Sequence, residues 1–328
     1  MPLSKKKTAT ETVMGMDIGG TKTKIGIINR KGKVIGFDSF SSLGDKPFPN
    51  FVKQLKRKFK KMCSSIDEDF QILGMGMGAP NANYYTGSME KPHNFHWGDL
   101  VPLCSSVEKA LGYKGLVTND ANLFALGEME YGIAKGMKNF IVMTLGTGFG
   151  SGIVVDGKLV FGHDGMAGEM GHVNVNPNGR LCNCGLKGCL ETYASVTGIK
   201  RTVFKLMADL QVDSSLREYS YEDLTGLMIA EAALEGDPIA CRAFEYTGEI
   251  LGTKIADAAA YFSPEAFILG GGLAKAGDLL LKPTVKSMNE RLFKAYKGKM
   301  KVVISGTGSK YDGVLGAAAL AWQHFGGE

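Results

Sequence analysis

Apolar and polar positions along the chain fall into two kinds of repeat. Val13–Ile28 holds two apolar strand runs on either side of Asp17-Ile-Gly-Gly-Thr-Lys22, which predicts a β-hairpin with a glycine-rich turn. Arg30-Lys-Gly-Lys33 then turns the chain into a third strand, Val34–Ser39. Phe51, Val52, Leu55, Phe59 and Met62 recur at helical spacing and predict an amphipathic helix over Phe48–Ser65. Ile72–Met77 reads as a buried strand running into the loop Gly78-Ala-Pro-Asn-Ala-Asn83. Leu116–Asp120 reads as a short strand with a helix, Ala121–Tyr131, behind it. The first pattern then returns, roughly 130 residues on, as Phe140–Val155 with the turn Leu145-Gly-Thr-Gly-Phe-Gly150 and a further reversal at Asp156-Gly-Lys158. Such an echo points to a duplicated α/β unit. Helices are expected over Val196–Leu210, Tyr221–Glu235 and Pro238–Phe262. A strand at Ala266–Leu269 feeds Gly270-Gly-Gly-Leu273, with a helix from about Ala274. A last strand, Lys301–Ser305, precedes a closing helix of small residues, Tyr311–Phe325.

The glycine turns have chemical uses. Bare amides at Gly19, Gly20 and Thr21, with Lys22 beside them, can cradle a phosphate, and Asp17 can hold Mg²⁺ through water. No Walker A pattern leads into a helix here. Gly146, Thr147 and Gly148 repeat the arrangement. Two phosphate turns together could hold a nucleoside triphosphate. Gly270, Gly271 and Gly272 lie at a strand end, where backbone can approach an adenine or ribose. A plain packing turn is the competing use of each. Asn81, Asn83, Asn94 and Trp97 are candidate ligand contacts, although Asn is more commonly a turn residue. On local grounds Asp120 reads as the N-cap of its helix before it reads as a general base.

Gly168–Glu191 carries the densest chemistry. His172, Cys182, Cys184 and Cys189 follow the spacing H-x9-C-x-C-x4-C, one nitrogen and three sulfurs, the donor set of a closed tetrahedral zinc site. The chain has 6 Cys in 328 residues, and half of them fall here, so chance is a poor account. The odd number argues against a disulfide. Glu169 and Glu191 flank the cluster, and carboxylates held on a pinned loop make good acceptors for sugar hydroxyls. Cys63, Cys104 and Cys241 read as packing residues.

Composition narrows the rest. A hydrophobic fraction of 44% with 22% charged residues is ordinary globular chemistry, and 45 glycines suit a chain of tight turns. A net charge of +5 is too mild to argue for nucleic acid. Part of the excess is local, in Lys5–Lys7 and in the run Lys53–Lys61, both read as solvated surface. No apolar run is long enough to span a bilayer, and residues 1–12 are polar without an apolar signal core, so a disordered tail and a cytoplasmic location are expected, with no membrane partner.

Taken together, the motifs resemble those of the ROK family of sugar kinases and repressors, within the actin/hexokinase/Hsp70 superfamily, over essentially Val13–Gln323. Asp17–Thr21 is similar to its first phosphate motif, Leu145–Gly150 to the second and Leu269–Gly272 to its adenosine motif. Glu169-Met-Gly-His172 matches E-x-G-H, and Cys182–Glu191 matches C-x-C-G-x2-G-C-x-E. The resemblance implies an actin-like ATPase (ribonuclease H-like) fold, two α/β domains around a cleft. The smaller is expected at 13–118 plus 310–328, and the larger, with the zinc loop, at 119–309. It implies Asp120 as catalytic base, in place of the cap, with Asn119, Glu169, His172 and Glu191 as sugar contacts, and Asn94 joins them as the candidate contact of its own loop. ATP, Mg²⁺ and structural Zn²⁺ are the implied cofactors, and a homodimer the implied assembly. The expected activity is ATP-dependent phosphorylation of glucose at the 6-hydroxyl. Kinases of N-acetylglucosamine, N-acetylmannosamine, fructose or allose, and polyphosphate as donor, are the alternatives. A sugar-sensing repressor is a remote one, because only twelve residues precede Val13. Gly78-Ala-Pro-Asn81 departs from the commoner G-x-P-G of the sugar-side loop.

Overall fold

Three strands in succession open the fold, each turned back on the last: β1 (Thr10–Ile18), β2 (Lys22–Asn29) and β3 (Val34–Ser41). The computed structural model describes residues 9–92, 95–306 and 309–327. Helix α1 (Phe48–Cys63) leads to β4 (Phe70–Gly78). A small antiparallel sheet follows, built from β5 (Ala82–Asn83), β6 (Ser88–Glu90) and β7 (Leu100–Val101). Helix α2 (Leu103–Leu111), β8 (Gly115–Thr118) and α3 (Asp120–Tyr131) complete the first half. The large sheet runs in the order β3-β2-β1-β4-β8, with β4 and β8 parallel to β1. Residues Val13, Met14, Met16 and Ile18 are buried on both faces of β1, as its central place requires.

The second half repeats the plan with β9 (Phe140–Leu145), β10 (Phe149–Val155) and β11 (Lys158–Leu159). After the Cys/His loop come α4 (Val196–Asp209), α5 (Gly226–Leu234) and α6 (Pro238–Phe262). They are followed by β12 (Ala266–Gly270), α7 (Asp278–Arg291), β13 (Lys301–Ile304) and α8 (Asp312–Phe325). Its sheet order, β11-β10-β9-β12-β13, matches the first strand for strand. The echo of glycine hairpins in the sequence is therefore an echo of topology.

Several boundaries differ from expectation for local reasons. β1 starts at Thr10, so residues Thr10–Thr12 are strand and not tail: they pair with Phe70–Ile72, and Thr12 Oγ1 donates to the Gln71 carbonyl at 2.9 Å. Helix α5 begins at Gly226 rather than Tyr221, because Thr225 accepts the Met228 amide as N-cap. The third glycine turn runs into a 3₁₀ turn, Leu273–Ala276, and α7 starts only at Asp278, after Gly277 at φ +62°.

Two compact units emerge: Met1–Lys135 with Phe161–Ala167 and Thr307–Glu328, and Gly136–Val160 with Gly168–Gly306. The first extends through α3, beyond the boundary expected after Thr118. Its reason is α8, which lies against α3 so closely that a Cβ on Gly316 would come 2.1 Å from the Leu123 carbonyl. Asp120 therefore stands on the first sheet's unit.

The same helix explains a row of glycines. Gly26, Gly15 and Gly76 are register neighbours across β2, β1 and β4. A Cβ on Gly15 would lie 2.1 Å from the Val314 carbonyl, and one on Gly76 would lie 1.8 Å from that of Ala317. The buried Ala317, Ala318, Ala319 and Ala321 complete a helix seated directly on the sheet. Gly76→Ala is expected to cost about 3 kcal/mol, the upper end of core overpacking, read from urea unfolding. A loss below about 1 kcal/mol would mean that α8 can back away.

Candidate active site

The carboxyl ends of β1 and β8 bring two carboxylates near one another. Asp17 ends β1's approach to the first glycine turn, and Asp120 opens α3 just past β8. Gly19 N–H donates to the Lys22 carbonyl at 3.0 Å and closes the turn over Gly20 and Thr21, leaving Thr21 and Lys22 exposed. Ser42 braces it from beyond β3: its Oγ donates to the Gly19 carbonyl at 2.6 Å, and its N–H reaches the Thr21 carbonyl at 3.0 Å. Lys24 Nζ stands 3.6 Å from Asp17 Oδ2. Burial nonetheless pushes the Asp17 carboxyl above its ordinary value. Lys24 pulls it back, and the nearby Asp120 adds to the rise.

Asn119, not Asp120, caps α3. Its side-chain oxygen accepts the Asn122 amide at 2.7 Å, while Asn122 Nδ2 donates to Thr118 Oγ1 at 2.9 Å. This corrects the local reading of Asp120 and leaves Asn119 only its amide group to offer a ligand. Asp120 Oδ1 accepts the adjacent Ala121 amide at 2.9 Å, and the side chain reaches solvent. Solvent contact governs what this carboxylate can touch. The dense protein around it governs its acidity, and desolvation raises its carboxyl above the ordinary value although backbone N–H groups partly offset the rise.

The other unit carries the second turn and the Cys/His loop. Gly146 N–H donates to the Gly148 carbonyl at 3.0 Å, with Thr147 exposed between them. Glu191 joins this turn to the loop: Oε2 accepts the Phe149 amide at 3.0 Å and Oε1 lies 3.5 Å from Cys182 Sγ. Ser151 holds the Gly168–Met170 turn, its hydroxyl donating to the Gly168 carbonyl and accepting the Met170 amide. His172 Nε2 lies 4.0 Å from Glu169 Oε2.

The ligand atoms of His172, Cys182, Cys184 and Cys189 all lie within 4.8 Å of one another. Cys184 and Cys189 Sγ are 3.6 Å apart, and Cys182 Sγ is 3.8 Å from His172 Nδ1. A tetrahedron with ~2.3 Å zinc–sulfur bonds needs ligand atoms roughly 3.8 Å apart, so the set fits zinc. Burial pushes the Cys182 thiol up to about 12, and a bound cation would favour its thiolate. Nδ1 is the nitrogen turned to the sulfurs, so a metal bound there would leave the imidazole proton on Nε2, the nitrogen nearer Glu169. Gly188 is required by close approach: a Cβ there would lie 1.8 Å from the Asn176 carbonyl.

Arg180, which the sequence does not single out, ties this loop to α4. Its guanidinium donates to the carbonyls of Thr192 at 2.7 Å and Gly198 at 2.9 Å and to Thr202 Oγ1 at 2.9 Å, and it lies over the Tyr193 ring. At the third turn, Gly270 is buried in β12, while Gly271 and Gly272 are exposed. Gly271, at φ +85°, packs on the Leu145 backbone, where a Cβ would come within 2.7 Å. It thus ties the third turn to the second. Gly272 faces open space except for Val196.

Three expected ligand contacts are structural instead. Trp97 is buried among Phe48, Phe51 and Phe95, its Nε1 donating to the Leu43 carbonyl. Asn81, at φ +51°, donates to the Lys91 carbonyl. Asn83 is buried and spends both ends of its amide on backbone. Asn94 lies outside the described residues. Of the other candidates, Asp17, Gly19–Lys22, Asn119 and Asp120 gather on the first unit. Gly146–Gly148, Glu169, His172, Glu191, the three cysteines and Gly270–Gly272 gather on the second.

Each of the two five-stranded sheets is opened by a glycine-turn hairpin, with the Cys3His loop after the second, the duplicated plan of the actin-like ATPase fold. The chain belongs to the ROK family, which it matches over residues 13–324. It is 32% identical over 319 residues to the glucokinase of Thermotoga maritima, covering 96% of this chain and 98% of that one. With the glucokinase of Streptomyces coelicolor the identity is 34% over 313 residues, covering 94% and 96%. Among solved structures it is similar to a ROK family glucokinase from Streptomyces griseus in complex with glucose and AMPPNP. There the identity is 32%, the coverage 95% of this chain and 99% of that one, and the TM-score 0.78.

Proposed function

We propose that this chain is an ATP-dependent glucokinase that phosphorylates the 6-hydroxyl of glucose with Asp120 as general base. The observation that carries the reading is Asp120 itself. Asn119 takes the cap, and the Asp120 carboxylate is left at a strand end, solvent-reaching and with a raised pKa. A base poised nearer neutrality takes a proton more effectively than an ordinary aspartate. The hydroxyl oxygen, as it loses that proton to Asp120, attacks the γ-phosphorus of ATP, and the bond from that phosphorus to the β,γ-bridging oxygen breaks to release ADP.

Glu169, His172 and Glu191 hold the sugar hydroxyls. Glu191 already uses one oxygen on Phe149 N–H, which orients the other. His172 donates from Nε2. Asn119 offers its amide group, and Asn94 is a further contact. The amides of Gly19–Thr21 and Gly146–Gly148, with Lys22, receive the phosphates, and Gly270–Gly272 lie along the adenosine. Asp17 would hold the Mg²⁺ carried with ATP, which would supply positive charge against the phosphates. Zinc on His172, Cys182, Cys184 and Cys189 would fix the loop and the orientation of the imidazole. Among the described residues no helix is long and apolar enough to cross a membrane. A homodimer is the assembly this reading adopts from the family resemblance.

The test is purified protein with Mg-ATP, or polyphosphate, against glucose, mannose, fructose, allose, N-acetylglucosamine and N-acetylmannosamine. Glucose with ATP is the expected preference. Preference for an acetamido sugar would move the function to amino-sugar phosphorylation, and no turnover on any sugar would overturn the kinase reading.

A further inference from the structure

Asp17 is fixed at its backbone and adjustable only at its carboxylate. In the register of the first sheet it stands between Lys24 on β2 and Gly78 on β4. Lys24 Nζ lies 3.6 Å from its Oδ2, and 24% of the side chain remains in solvent. The carboxylate has a second neighbour within the same compact unit, the first turn of α8. A Cβ built on Gly313 would lie 2.2 Å from Oδ2, 2.5 Å from Cγ and 2.8 Å from Cβ of Asp17. The three atoms nearest to that position all belong to this one side chain.

Backbone conformation does not call for glycine at 313. Its φ lies outside the left-handed region, and a helix favours alanine over glycine. The other close glycines around α8 differ in kind. Cβ atoms on Gly15, Gly76 and Gly316 would strike the backbone carbonyls of Val314, Ala317 and Leu123, so those residues serve the packing of one element on another. Gly313 makes room for a single carboxylate. The N-terminus of α8 has no side-chain cap hydrogen bond, and its positive end favours an anion seated there.

A side chain at 313 must therefore displace either α8 or Asp17. Helix α8 is the stiffer of the two, because Val314, Ala317, Ala318 and Ala321 are fully buried in it. The Asp17 carboxylate has solvent to move into, so it is the group that gives way.

We propose that Gly313 is a positioning residue for the metal-bound donor: its bare Cα lets the Asp17 carboxylate seat on α8, which sets the direction in which that carboxylate meets the Mg²⁺ carried with ATP. The inference rests on the reading of Asp17 as the group that holds Mg²⁺.

The test is Gly313→Ala, alone and in an Asp17→Ala background, with calorimetric Kd values for ATP with Mg²⁺ and for ATP with EDTA. Gly313→Ala is expected to weaken binding of Mg-ATP about tenfold, within the ~100-fold that a misplaced group can cost. Binding of metal-free ATP and of glucose should stay as in the wild type, and the melting temperature should not fall. In the Asp17→Ala background the same change should add nothing, since the two residues act through one contact. An unchanged Kd for Mg-ATP in Gly313→Ala would overturn the proposal. So would equal weakening with and without Mg²⁺, or an undiminished effect in the Asp17→Ala background, either of which marks general support of the fold. A melting temperature well below that of the wild type would show that α8 gives way instead, and would overturn it too. Asp17→Ala with wild-type affinity for Mg-ATP would fail the reading of Asp17 first, and this inference with it.

Discussion

Asp120→Asn should lower kcat by about 10²–10⁴-fold while glucose still binds with near wild-type affinity. The two groups have the same shape, and asparagine can keep the hydrogen bond that Asp120 Oδ1 accepts from Ala121. Asn119 continues to cap α3, so the helix start is undisturbed. Only the capacity to take a proton is removed. The raised carboxyl of Asp120 adds a pH signature. In the wild type, kcat/KM should rise with pH as Asp120 ionises, with its midpoint above the ordinary carboxylate range, and the residual activity of the variant should lack that limb.

Stability should move the opposite way. A carboxylate whose folded pKa lies above its unfolded value penalises its own ionised form in the fold. The wild type is therefore relieved of the penalty below the unfolded pKa, and it loses stability as pH rises through the folded pKa. Asparagine never ionises, so at neutral pH the inactive variant should melt at a temperature equal to or above the wild type, with the gap closing in acid. Turnover within tenfold of wild type would sink the assignment of the base. A lower melting temperature at neutral pH would show that the charged form is held by interactions stronger than its desolvation.

The hairpins, the duplicated plan and the metal-ligand set were legible because each is local. A strand–glycine–strand pattern states itself within a short run, and the spacing of His172, Cys182, Cys184 and Cys189 is itself the signal. Asn119 and Asp120 show where locality ends. Both are good N-cap residues, and which one caps depends on where β8 stops in its register with β4, at Thr118. Trp97 and Asn83 looked like ligand contacts because their partners, Leu43 and Asp164, lie far away in sequence. Ser42, Ser151 and Arg180 gave no signal at all. Each is one polar side chain whose meaning comes from a distant backbone atom. The small residues of α8 were visible, but their reason was not, since the matching glycines sit on three separate strands.

Cys184→Ser is the sharpest test of the loop, and it should strip the protein of zinc and of sugar affinity together. Of the three cysteines, Cys184 is exposed while Cys182 and Cys189 are buried. Serine there leaves no cavity and buries no new hydroxyl, so packing is spared and coordination alone is lost. Apart from the ligand set, hydrogen bonds rather than regular secondary structure hold the segment. Between Gly168 and Glu191 it contains only 3₁₀ turns at its two ends and isolated bridges at Asn174–Cys189 and Leu181–Lys187. Arg180 anchors its middle to α4, but neither His172 nor Glu169. Apparent zinc-binding energies of about 10–16 kcal/mol in small zinc-finger peptides indicate how much order such a site can impose. The expected result is about one zinc per chain in the wild type and far less in the variant. Protease cleavage should appear within 172–189, and glucose affinity should fall at least about tenfold, with ATP affinity changed much less. Gly19–Lys22 and Gly270–Gly272 lie outside the loop, which is why the donor side should be spared. A wild type free of zinc with full sugar affinity would overturn the metal reading, and zinc lost without any change in glucose binding would separate the metal from the sugar contacts.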